Sequence, residues 1–240
     1  MELWFRIRDF FRYTRREKRD LILAVLVVTL AFAYNDGRET FIPAKWAVNF
    51  LVVLFFVYLS LMFRTAAQKI VALQNGFTTE FRCWPVGLVI TAIITLLSNG
   101  NLLVILPGGI ILYHMTLLRM GKFRYGENIT SRGMIAASGA FANLVLATIA
   151  LTFSAQLGIF PELFNELAYI NFVLIIFTLL PLPRMDGIHL FFMSRLTYVF
   201  VFSTLVAYIL LTFAGVYSWI LAFFIGVICW LLYYINFEQD

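Results

Sequence analysis

Stretches of nearly uninterrupted apolar side chains, most of them close to the ~20 residues that cross a bilayer, recur from Leu21 to Ile235. In lipid such a segment can satisfy its own backbone only as a helix or within a closed barrel, and runs of this length without strict alternation favour helices. The composition agrees, with 62% hydrophobic and 13% charged residues against roughly 25% charged in an average soluble domain. The sequence therefore predicts an all-α membrane protein, a polytopic bundle of six to eight segments. Its 240 residues leave room for one membrane domain, 21–240, behind a short lead-in, 1–20. No internal repeat, low-complexity stretch or linker divides it.

The lead-in carries Arg6, Arg8, Arg12, Arg15, Arg16, Lys18 and Arg19 among Trp4, Phe5, Phe10, Phe11 and Tyr13. A basic, aromatic, amphipathic segment beside a spanning helix favours an anionic membrane surface, so membrane lipid is the expected partner and nucleic acid is not. Its charge and length distinguish it from a cleaved signal sequence, and it reads as a retained anchor. Spans follow at about 21–34 and 46–63, with Arg64 and Lys69 expected at the inner surface. Two shorter runs, 86–99 and 103–113, are separated by Ser98–Asn101 and broken by Pro107-Gly108-Gly109; they fit either a helical hairpin or re-entrant segments. The basic residues Arg119, Lys122, Arg124 and Arg132 then mark an inner loop. Spans at about 133–157, 167–180, 196–213 and 218–235 complete an even number of crossings. The excess of positive charge on one side predicts a multi-pass protein of the cell membrane with both termini cytoplasmic. Cys83 and Cys229 lie in no metal-binding or redox spacing and read as small hydrophobes.

The chemistry concentrates near Asp186, an acid in an apolar stretch already interrupted by Pro181 and Pro183. An ionisable group at membrane depth is costly and marks a candidate site. The alternative is an acid at the interface end of a span, beside Arg184.

The string Thr178-Leu-Leu-Pro181-Leu-Pro183-Arg-Met-Asp186-Gly187 resembles the Asn-Leu-Leu-Pro-x-Pro-x-x-Asp-Gly motif of the site-2 proteases. Ser138-Gly139-Ala140-Phe141-Ala142-Asn143 is similar to that family's Ala-Gly-Pro-x-x-Asn. Gly76, Glu80-Phe81-Arg82, Trp84-Pro85, Gly87-Leu88 and Pro107-Gly108-Gly109 follow a spacing similar to archaeal members. The resemblance implies an intramembrane metalloprotease scaffold with its core at about 46–195, and zinc as the family's metal, with the motif Asp as third ligand.

The family draws its other two ligands and its general base from His-Glu-x-x-His on the second span. The corresponding string here is Arg64-Thr65-Ala66-Ala67-Gln68. An arginine keeps its proton and cannot ligate zinc, and neither threonine nor glutamine is a general base. No catalytic residue and no metal are therefore expected, the degenerate positions being Arg64, Thr65 and Gln68. Arg64, Asp186, Asn143 and Thr178 are the candidate binding residues, with Arg64 able to replace the cation beside Asp186. The leading reading is a proteolytically inactive relative that binds a membrane partner, such as a transmembrane helix, or serves as a subunit of a membrane complex. An active enzyme with zinc held by Asp186, His189 and His114, and a transporter or channel using Asp186, are the alternatives.

Overall fold

A computed structural model of the chain describes residues 3–35, 42–114, 128–158, 160–216 and 218–237. The expected inner loop through Arg119, Lys122 and Arg124 lies outside these residues, as does the acidic tail 238–240. The described elements run α1 (Leu3–Phe10), α2 (Arg15–Ala33), α3 (Pro43–Gln74), β1 (Phe77–Cys83), α4 (Pro85–Leu97), β2 (Gly108–His114), α5 (Ile129–Leu157), α6 (Pro161–Thr178), α7 (Asp186–Met193), α8 (Arg195–Phe213) and α9 (Trp219–Phe237). Five of these, α3, α5, α6, α8 and α9, are long and apolar enough to cross a membrane. The chain is an all-α membrane protein decorated by one two-stranded ribbon.

Local chemistry sets the helix starts. Proline opens α3, α4 and α6, where its missing N–H costs nothing. Thr14 caps α2 by accepting the Glu17 N–H at 3.2 Å. The helix break at residues 11–14 divides the lead-in, so Arg15, Arg16, Lys18 and Arg19 belong to the first turns of α2.

The interior is built around α5. Ala136, Gly139, Ala140, Asn143, Ala147 and Ala150 recur at three- and four-residue spacing and are all buried. This stripe of small residues lets neighbouring helices approach closely, as membrane bundles require. One apolar cluster joins α5, α6 and α8 through Leu144, Phe172, Leu205 and Tyr208. Another joins α2, α3 and α6 through Val28, Val57, Leu61 and Leu174. Large apolar side chains such as Leu51, Phe55, Phe224 and Leu232 point outward and are exposed, the arrangement expected when acyl chains are the solvent.

Two readings become definite. Arg64 and Lys69 are buried within the protein: α3 continues unbroken to Gln74, and the two residues are 2% and 5% exposed. The apolar run at 103–113, which fitted either a helical hairpin or re-entrant segments, is not a helix. After α4 the chain turns at Ser98–Asn101 beside the end of α2, where the Asn35 amide donates to Asn101 Oδ1 at 3.1 Å. It returns extended, the Leu106 N–H donating to Thr91 Oγ1 at 3.1 Å, and enters β2. β2 pairs antiparallel with β1 from Phe77↔His114 to Cys83↔Gly108. Pro107 cannot continue a helix, and Gly108 takes φ +115°, closed to other residues.

Candidate functional site

Arg64 and Gln68 are four residues apart on α3 and so share a face. That face meets the first residue of α7. Arg64 Nη2 lies 2.5 Å from Asp186 Oδ2, with the two side chains 2% and 1% exposed. The Gln68 amide donates to the same oxygen. The Ile110 N–H of β2 donates to Asp186 Oδ1 at 3.2 Å. One buried carboxylate thus receives three donors from two separate elements, which satisfies a charge that would be severely penalised alone.

Backbone close approaches put the carboxylate there. The Pro181-Leu182-Pro183 string stops α6, and Arg184, exposed at φ 62°, turns the chain into α7. A Cβ on Gly187 would lie 1.9 Å from the Leu179 carbonyl oxygen, so only glycine allows α7 to press on the last turn of α6. A Cβ on Gly109 would lie 2.6 Å from Asp186 Oδ1, and one on Gly139 would lie 2.5 Å from Gln68 Nε2 and 3.0 Å from Arg64 Cγ. Glycines from β2, α5 and α7 therefore shape the space that Arg64, Gln68 and Asp186 fill.

The other singled-out residues are placed differently. The Thr65 hydroxyl is 3.2 Å from the Met62 carbonyl of its own helix and 3.3 Å from the Tyr13 hydroxyl. Thr178 is buried and donates to the Leu174 carbonyl within its own helix at 2.5 Å. Asn143 is fully buried one turn along α5 from Gly139, and neither amide atom has a partner. Arg64 Nη1 is likewise buried without one. His189 is half-buried on α7, and His114 ends β2. Among the described residues no three His, Cys, Asp or Glu side chains converge.

A zinc ion does not fit the residues at this position. Arg64 offers only N–H donors, and Gln68 turns its NH₂ toward Asp186, so two of the three groups facing one another have no lone pair directed inward. No catalytic step through a metal can be derived from this arrangement.

A second buried network borders the first. Lys69, the residue after Gln68, donates to Glu17 Oε2 at 2.9 Å, to the Thr79 carbonyl at 2.7 Å and to the Arg12 carbonyl at 3.2 Å. Its ammonium also sits 4.6 Å from the centre of the Tyr13 ring. Glu17 Oε1 accepts the Phe81 N–H at 3.0 Å. Burial pushes the Tyr13 hydroxyl above its ordinary pKa, while its hydrogen bond to Thr65 pulls the other way. Nothing in the local sequence signals this cluster, since Glu17 and Lys69 both stand in stretches that read as polar surface.

No family model and no solved structure matches the chain. A protein of Methanocaldococcus jannaschii named as a candidate zinc metalloprotease is 30% identical over 182 residues, which are 75% of this chain and 85% of that one. The match extends over most of both chains and accompanies a membrane bundle whose Asp-Gly turn faces the motif-bearing helix. The chain belongs to the family of that metalloprotease, a membrane family related to the site-2 proteases.

Proposed function

We propose that this protein is a proteolytically inactive member of its family, of the archaeal type, which keeps the scaffold and uses it to hold a membrane partner. The observation that carries the reading is the convergence of the Arg64 guanidinium and the Gln68 amide on the Asp186 carboxylate. These residues hold the places of the two histidines and the aspartate in the motif, and they make a closed, charge-neutral junction. An always-protonated guanidinium supplies the positive charge a metal would otherwise bring to the buried acid. The position of the motif glutamate is Thr65, whose hydroxyl is beside Tyr13 and has no proton-abstracting capacity.

A partner would pack on the outward apolar faces, where large side chains such as Leu51, Phe55, Phe224 and Leu232 are exposed, because Asn143 and the Arg64–Asp186 junction are sealed in the core. Counting α2 as a crossing beside the five helices long and apolar enough to span makes the number even, and the basic lead-in favours the cytoplasmic side for both termini.

The test is zinc content and cleavage on the same purified sample. Metal analysis should find zinc well below one per chain, and a transmembrane reporter substrate should survive reconstitution with the protein, with or without added zinc. About one tightly held zinc per chain, together with chelator-sensitive cleavage, would overturn the proposal.

A further inference from the structure

A half-open cleft of about 560 Å³ runs between α2 and α3. Its lining is almost entirely aliphatic and aromatic. Leu21, Val25 and Leu61 form a buried floor, and Ile22, Leu51 and Phe55 form exposed walls. The exceptions lie at one end, where Tyr13 and Lys18 complete the lining.

Length separates the possible occupants. Along α3 the lining extends from Leu51 to Met62, a rise of ~16 Å at 1.5 Å per residue. That is about half of the ~30 Å hydrocarbon core, the depth of a single leaflet. A spanning helix from a partner needs a groove through the full thickness and a width of ~10 Å. One acyl chain needs only a leaflet. The volume also falls in the ~300–1,000 Å³ range of small-ligand sites.

Charge fixes the headgroup. Lys18 is exposed and makes no ion pair among the described residues. It stands in the first turns of α2 with Arg15, Arg16 and Arg19, all exposed, of which Arg19 is 3.4 Å from Asp20. An acyl chain lying in the cleft brings its phosphate to this basic end. Clusters of lysine and arginine at the interface attract acidic lipids.

We propose that the α2–α3 cleft binds one acyl chain of an acidic phospholipid whose phosphate is held at Lys18. The site is separate from the Arg64–Asp186 junction and does not depend on the protein being inactive. It nonetheless touches the site-bearing helix through Leu61 and Met62, so the lipid is placed to brace α3 against α2.

The experiment is native mass spectrometry of the full chain in mild detergent, titrated with phosphatidylglycerol, phosphatidylcholine or inorganic phosphate. The expected result is a single retained phosphatidylglycerol per chain, with phosphatidylcholine and phosphate retained far less. Lys18→Gln should weaken retention about fivefold, the value of one interfacial charge. Ile22→Trp, which fills the mouth with an indole, should abolish it. Ile228→Trp on exposed α9 should leave it unchanged, and far-ultraviolet circular dichroism reports whether each variant folds. If Ile22→Trp fails to fold, Leu26→Trp fills the same wall. Equal retention of phosphatidylcholine, retention of phosphate alone, or undiminished binding in the folded mouth-filling variant would each overturn the proposal.

Discussion

Replacing Arg64 with methionine removes the guanidinium while keeping a long apolar stem of similar reach. The Asp186 carboxylate, in a side chain 1% exposed, then keeps only the Gln68 amide and the Ile110 N–H. Those two bonds exist already in the native protein, so they offset nothing of the lost charge. Breaking one side of a buried ion pair costs about 3–5 kcal/mol. For a chain of this size each kcal/mol lowers Tm by roughly 2–4 °C, so a drop of about 6–20 °C is expected. Adding Asp186→Asn removes the orphaned charge but keeps an oxygen to accept from Ile110, and it should return the protein to within about 2 kcal/mol of the native value. The assay is reversible unfolding in mixed micelles of mild detergent and dodecyl sulfate, followed by helical circular dichroism. An Arg64→Met protein within about 1 kcal/mol of native, or a double variant no more stable than the single one, would refute the assigned role of the pair.

Three further outcomes are expected. Arg64→His combined with Gln68→His should give a chain that binds about one zinc ion, because both side chains already point at one Asp186 oxygen; metal analysis after dialysis, showing no zinc above the native level, would contradict that geometry. Gly187→Ala should destabilise more than Gly139→Ala, since the new methyl meets the immovable Leu179 carbonyl in one case and the end of the flexible Gln68 side chain in the other, and thermal unfolding ranks the two. Lys69→Met should cost about 3–5 kcal/mol by stranding Glu17 and should loosen α1 and the 11–14 break, so limited proteolysis there should accelerate at least as much as global unfolding does.

The membrane class and the approximate places of most spans were legible in the sequence, and Asp186 stood out there as an acid in an apolar stretch, because hydropathy over ~20 residues is a local property that lipid makes nearly decisive. The departure from the His-Glu-x-x-His pattern was equally legible, since it depends on the identities of residues 64, 65 and 68 and on no geometry. The partners were legible only in part. The motif resemblance offered Arg64 as the cation beside Asp186, but Asp186 is 122 residues from Arg64, 118 from Gln68 and 76 from the Ile110 N–H, and no local pattern ranks Arg64 above the nearby Arg184 or names Gln68 and Ile110 as further donors. Lys69 and Glu17 show the same limit, because a lone charge in sequence is equally compatible with water and with a buried opposite charge until the chain brings the two together. The strand at Gly108–His114 was hidden for a related reason. A short apolar run suits a helix or a strand alike, and it was the β1 edge, supplied from Phe77–Cys83, that decided between them.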